Sequence, residues 1–241
     1  MCTARKVVLE VSCSRVDPDL LLQLLISKQA SFEPSHVQAR QGPGFSKRLD
    51  YSTRNSLSYK PDKDLLPYCN ALKETINEHL DDLVQQLRLP RFRVGKHQVM
   101  CVAFGHGAFF RKHRDNFQRY TGDRKVSWVY YLCRRPPQFS GGDLVFYDGE
   151  QEIGRIVPES GKLVVFRSDM QHEVEPVECL TDDFADYRFT ITGFLHARAT
   201  LIGTALEGLR YVMFPLRGVY PIRKLGRLVR GVIAGKSVAF L

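Results

Sequence analysis

Apolar residues near the start of the chain recur with helical spacing. Asp17-Pro18 is an N-cap followed by a proline at the first helical position, and Leu20, Leu21, Leu24 and Leu25 follow it. Leu65, Cys69, Leu72, Ile76, Leu80, Leu83 and Leu87 step by four, three, four, four, three and four residues, which predicts one long amphipathic helix ended by Pro90. Between the two helices, Gln41–Tyr59 is rich in Gly, Ser and Arg and reads as a loop. From Val94 the period changes. Short β-rich runs cover Val99–Phe104, Val126–Leu132, Leu144–Tyr147, Ile153–Val157, Leu163–Phe166, Glu173–Val177 and Phe189–Leu195. Gly105-His-Gly107, Ser140-Gly-Gly142, Asp148-Gly149 and Pro158–Gly161 separate them, and Asp-Gly between two such runs marks a hairpin. Many short strands at this spacing predict a β sandwich or barrel, with the preceding helices buttressing one face. Alternation along Val126–Leu132 puts Trp128 and Tyr130 on one face, with Tyr131 opposite.

With 241 residues, 44% hydrophobic and 25% charged, the chain can bury a core without disulfide or metal staples, and a disordered, collagenous or coiled-coil chain is excluded. Leu20–Ile26 is too short to span a bilayer, and the N-terminus does not read as a secretory signal. The six cysteines contain no C-x-x-C, so they read as reduced thiols of a cytoplasmic protein. The net charge of +9 is uneven. Residues 197–241 hold eight basic residues against Glu207 alone, leaving the body nearly neutral. Within that tail Ile222, Leu225, Leu228, Val229 and Val232 share a helical face beside Arg223, Lys224, Arg227 and Arg230. Such a helix binds anionic surfaces or packs on protein. No nucleic-acid motif accompanies it, so packing, self-association or a partner contact is the expected use.

The chemistry gathers around His113-Arg114-Asp115, an H-x-D whose two side chains point the same way on an extended segment. H-x-D alone carries little. His172 follows 59 residues after His113, and two histidines with one carboxylate match the facial set that holds ferrous iron with open positions. Sixteen residues after His172, Arg188 stands inside the strand-like Tyr187–Phe194. An arginine buried in a strand needs an anion, and none is evident on that strand.

Together these residues resemble the Fe(II)/2-oxoglutarate-dependent dioxygenases, in particular the prolyl 4-hydroxylase-like branch. Phe104-Gly-His-Gly-Ala-Phe-Phe-Arg-Lys-His113 is similar to that branch's lead into the iron strand. Ser127-Trp-Val-Tyr-Tyr-Leu132 with Ser140-Gly-Gly-Asp-Leu-Val-Phe146 resembles the next two strands, and Phe184–Phe194 the last core strand. The resemblance implies a mainly β fold with flanking helices, the double-stranded β-helix (jelly roll, cupin-like). The whole chain, 1–241, would be one domain: helical support and a substrate loop over 1–92, the core over 93–196 and a basic helical tail over 197–241. It implies Fe(II) on His113, Asp115 and His172, and Arg188, Tyr131 and Thr192 on the distal carboxylate of 2-oxoglutarate, with O2 as co-substrate and ascorbate as an accessory reductant. Asp115 stands where halogenating relatives have a small residue, which implies hydroxylation. Arg54 and Asn55, in the loop, are candidate substrate contacts. Phe104 and Phe110 stand where relatives often have tyrosines, which removes two hydroxyls from the implied contacts.

The implied activity is hydroxylation of an unactivated C–H bond on an amino acid side chain, free or in a peptide, with proline the first guess. Three alternatives stay open: a small-molecule metabolite as substrate, a His/Asp/His metal hydrolase, and an oxygenase fold kept as a non-catalytic binding module.

Overall fold

A computed structural model describes residues 8–41, 44–116 and 123–198. The chain runs through β1 (Val8–Val11), α1 (Pro18–Ser27), β2 (Glu33–Pro34), the pair β3 (Val37–Gln41) and β4 (Gly44–Arg48), β5 (Arg54–Asn55), β6 (Leu57–Tyr59), α2 (Leu66–Glu78) and α3 (Leu80–Gln86). It continues through β7 (Val94–Phe104), β8 (Phe109–His113), β9 (Arg124–Leu132), β10 (Phe139–Gly141), β11 (Leu144–Asp148), β12 (Gln151–Ile156), β13 (Leu163–Arg167), β14 (Gln171–Val174), β15 (Val177–Cys179) and β16 (Arg188–Ala197). Two antiparallel sheets dominate: a major sheet ordered β1-β13-β9-β16-β7-β6-β2 and a minor one ordered β12-β11-β14-β8-β5. This is the jelly roll that the family resemblance implies. Among the described residues, no helix is long and apolar enough to cross a membrane.

The two faces of the major sheet do different work because side chains alternate along each strand. Trp128, Tyr130 and Leu132 of β9, Phe189, Ile191 and Leu195 of β16, and Cys101 and Ala103 of β7 face one way. They pack against Leu21, Leu25, Leu72 and Ile76 of the helices. The intervening residues face the minor sheet, where Val129, Tyr131, Val164 and Phe166 meet Leu144, Phe146 and Ile156. Trp128 is therefore core and Tyr131 inward, as the alternation predicts.

Local chemistry explains the element ends. The Asp17 carboxylate accepts the Asp19 and Leu20 amides at 2.9 and 3.1 Å and caps α1. Asp148 and Gly149 turn β11 into β12, with Gly149 at φ +62°. The predicted helix over 65–87 is instead two. The His79 Nδ1 lies 2.8 Å from the Thr75 carbonyl, while the His79 amide turns to Asn77, so α2 stops there. The stretch read as a loop, Gln41–Tyr59, contains strands: β4 pairs with β3, β5 adds to the minor sheet beside β8, and β6 adds to the major sheet beside β7. These strands are short and polar, and their pairing comes from neighbours distant in sequence. The basic tail lies, beyond Arg198, outside the described residues; Ala197 still belongs to β16.

Gly193 sits in β16 directly across from Trp128. A Cβ there would come within 2.2 Å of the indole ring. Gly193→Ala must therefore displace Trp128 or the strand. The expected loss is about 1–3 kcal/mol of unfolding free energy, measured by urea denaturation.

Candidate active site

β8 and β14 are neighbours in the minor sheet, and the ladder sets His113 directly opposite His172. Their rings lie 4.3 Å apart between centroids. Asp115 follows two residues past the end of β8. Its Oδ1 is 3.6 Å from His113 Nε2, and its Oδ2 is 3.6 Å from His172 Nε2. One ligand atom from each of the three residues falls within 4.8 Å of the others. The H-x-D and the distant histidine thus converge.

The surroundings fix which atoms face the centre. His113 Nδ1 lies 2.8 Å from the Arg111 carbonyl, and His172 Nδ1 lies 2.9 Å from the Met170 carbonyl. A carbonyl only accepts, so each Nδ1 carries the proton and each Nε2 keeps its lone pair for a metal. Asp115 Oδ2 accepts from the Ser127 hydroxyl at 2.7 Å, and Ser127 and Ser168, both fully buried, lie 2.8 Å apart. Burial alone would raise the Asp115 pKa. The two histidines and the Ser127 hydroxyl overcome it and hold the carboxyl well below its usual range. Burial pulls His172 down to about 4, helped by His113, so its imidazole is neutral at physiological pH. Phe146 and Phe166 enclose that ring. Two imidazoles with one ionised carboxylate form a donor set suited to a divalent transition metal, ferrous iron included.

A register shift on β8 places a third aromatic here. Two residues separate Phe110 from His113, but only one separates their partners Val174 and His172. The shift brings Phe110 and His113 to one face, and Phe110 stacks on His113 at 3.6 Å with 19° between planes.

On the opposite wall, β16 pairs Arg188 with Phe104 of β7 and Thr190 with Tyr131 of β9. Arg188 is 2% exposed. Its guanidinium carbon lies 4.9 Å from the Phe104 ring centre and 5.0 Å from that of Tyr131. Gly142 leaves room for the side chain, since a Cβ there would stand 2.8 Å from Arg188 Cδ. Arg188 Nε and Nη1 are buried without a hydrogen-bond partner, and so is the Tyr131 hydroxyl. Burial lowers the Arg188 pKa and raises that of Tyr131 to about 12, so the pair meets a ligand as guanidinium and neutral phenol. Unpaired buried donors around a cation fit a carboxylate, and the distal carboxylate of 2-oxoglutarate is of that kind. Thr192 lies on the same face, its hydroxyl 3.3 Å from that of Thr190.

Arg54 and Asn55 form β5, at the edge of the minor sheet beside Phe110 and Phe109. Asn55 Nδ2 reaches the Gly107 carbonyl at 3.4 Å. Sequence reasoning missed Ser127, Ser168 and Thr190. The available signal was parity: Ser127 and Thr190 occupy inward positions of strands whose inward register Tyr131 and Arg188 already mark. It also missed Arg124, which donates to the Asp115 backbone carbonyl and to Gln98, while its guanidinium lies 4.0 Å over Phe194. His196, buried, pairs with Asp123 at 2.8 Å.

Comparison with known proteins agrees with this geometry. Residues 97–196 match the family model of the 2OG-Fe(II) oxygenase superfamily. An uncharacterized PKHD-type hydroxylase of Synechocystis sp. is 32% identical over 143 residues, which is 55% of this chain and 47% of that protein. The chain thus spans about half the length of that curated relative. A Pseudomonas putida prolyl-4-hydroxylase superposes with a TM-score of 0.55 at 22% identity, over 80% of this chain and 93% of that one. A Trichoplax adhaerens prolyl hydroxylase, solved with a hypoxia inducible factor peptide fragment, gives 0.53 at 21% identity, over 79% and 83%. Residues 97–196 are thus similar to the 2OG-Fe(II) oxygenase superfamily, and the fold is shared with solved prolyl 4-hydroxylases.

Removing the hydroxyl that holds Asp115 tests the site without touching a ligand residue. Ser127→Ala should weaken metal binding about 10–100-fold, and Ser127→Thr should retain most of it, both read by Co(II) titration of the d–d absorption.

Proposed function

We propose that the protein is an Fe(II)- and 2-oxoglutarate-dependent dioxygenase that hydroxylates an unactivated C–H bond of an amino acid side chain, free or within a peptide, with proline the first candidate. One observation carries the reading. The His113/Asp115/His172 cluster shares an interior with a buried arginine whose nitrogens lack partners. Ser127 links the two, because it holds Asp115 and lies on β9 four residues before Tyr131, on the same face. A His/Asp/His hydrolase or a bare binding module leaves the orphaned Arg188 donors unexplained.

In this reading His113 Nε2, Asp115 and His172 Nε2 would hold iron and leave open positions for co-substrates. Arg188, Tyr131 and Thr192 would take the distal carboxylate of 2-oxoglutarate. When bound, iron and 2-oxoglutarate supply the activation of O2, with succinate and CO2 as the co-products. The chain itself contributes placement and exclusion of water. Its backbone carbonyls fix both imidazole tautomers, Ser127 fixes the carboxylate, and Phe110, Phe146 and Phe166 line the histidines with apolar surface. Arg54 and Asn55 would face the substrate from the edge of the minor sheet. A reducing, cytoplasmic setting is supported by the free thiols of Cys13, Cys69, Cys101, Cys133 and Cys179.

The reading is tested by turnover of 2-oxoglutarate. His172→Ala should abolish it while circular dichroism keeps its folded signature. Arg188→Ala should raise the 2-oxoglutarate KM at least about tenfold, the loss expected for one charge-assisted hydrogen bond of ~1.5–3 kcal/mol, and Tyr131→Phe should raise it less. An unchanged 2-oxoglutarate KM in Arg188→Ala would reassign that residue to the substrate.

A further inference from the structure

Arg54 is held in place on two sides by its neighbours. As a whole the residue is half-buried, but its guanidinium is enclosed enough that burial pulls its pKa down to about 10, while the charge of Asp115 acts on it in the opposite sense. One face is occupied, since its guanidinium carbon lies 4.7 Å over the Phe110 ring. Its Nε is occupied as well, donating to the Ser56 hydroxyl at 2.8 Å. Ser56 is buried and in turn donates to the buried Ser35 hydroxyl at 2.9 Å, so the relay has no freedom to follow a moving side chain. Packing and relay together fix the plane and the rotation of the fork. What remains is the pair of terminal amino groups, for which the described residues supply neither a carboxylate within ion-pair distance nor a hydrogen bond. Two parallel N–H donors held in a plane match a carboxylate.

Position relative to the metal cluster turns this into a statement about the substrate. Arg54 stacks on Phe110, and Phe110 stacks on His113, so a single column leads from a metal ligand to the free guanidinium edge. Charge bookkeeping gives the same answer. In the proposed function, Arg188 would take one carboxylate of 2-oxoglutarate, and Asp115 with the other carboxylate would balance a divalent ion. Arg54 then has no ion-pair partner among the described residues, and feels Asp115 only at a distance. An enclosed cation is stabilised when its anion arrives, and is costly otherwise.

We propose that Arg54 selects a prime substrate carrying a carboxylate, set one stacked ring away from the carbon to be hydroxylated. This rests on the oxygenase reading above and narrows it. Two sources offer that chemistry: the α-carboxylate of a free amino acid, or an Asp or Glu side chain next to the target residue in a peptide.

The test uses the full chain with Fe(II) and 2-oxoglutarate in air, and reads succinate formed above the level without prime substrate. Free L-amino acids are compared with their amides, and acetylated dipeptide amides containing Asp or Glu with those containing Asn or Gln. Calorimetry of the same probes on the Mn(II)- and 2-oxoglutarate-loaded protein without O2 gives binding independently of turnover. The carboxylate member of the productive pairs should be favoured at least tenfold. The set in which that occurs identifies the source. Arg54→Met should erase the preference, and Arg54→Lys, which keeps the charge but loses the fork, should retain part of it and serves if the Met variant does not fold. Equal or better use of the amides, a preference unchanged in Arg54→Met, or no stimulation by any carboxylate probe overturns the proposal. Absence of succinate from the unaltered protein both without and with every probe defeats the oxygenase reading, and this proposal with it.

Discussion

A guanidinium stands in the interior of this jelly roll, and none of the described residues forms an ion pair with it or a hydrogen bond to its Nε and Nη1. Leaving a charge and its donors unpaired in such a place costs several kcal/mol. The fold nevertheless goes to some length to keep Arg188 there. β16 pairs on both sides, Phe104 and Tyr131 flank the guanidinium, and Gly142 yields the space that a Cβ would fill. A chain that is held together by apolar packing gains nothing in stability from this residue. In the function proposed above, it is the receptor half of a site whose anion arrives with the ligand.

The arrangement follows from one geometric rule, the alternation of side chains along strands. Because odd and even residues of β16 part company, Phe189 and Ile191 can secure the helices while Arg188, Thr190 and Thr192 line the interior. β9 does the same with Trp128 and Tyr130 on one side and Ser127 and Tyr131 on the other. The chemistry is thereby carried on strands fixed from behind by a large apolar core, which gives the site its rigidity. The minor sheet adds the candidate metal ligands through a single cross-strand pair, His113 with His172, and the register shift brings Phe110 to the same face.

Much of this was legible in the chain. The helix start at Asp17-Pro18, the hairpin at Asp148-Gly149 and the runs Val126–Leu132, Leu163–Phe166 and Phe189–Leu195 all announce themselves through local preference and apolar pattern. The H-x-D, the distal His172 and Arg188 stand out because each is a residue type that its local pattern does not need. The short strands β2, β5 and β6 carry no such signal, because two or three residues are held extended only by partners far along the chain. The break at His79 depends on an imidazole competing for one helix carbonyl, and the Ser127–Ser168 contact joins residues 41 apart through small hydroxyls. Phe110 against His113 contradicts simple alternation, and only the irregular ladder explains it.

The account as a whole stands on the joint use of the metal cluster and the buried cation, and one measurement addresses both. Purified protein given Fe(II), O2 and 2-oxoglutarate labelled at its C1 carboxylate should release labelled CO2 and succinate in equal amounts. Release should stop when O2 or iron is withheld or when zinc replaces iron. No release under the complete conditions, or a hydrolytic product formed equally well with zinc and without O2, would contradict it.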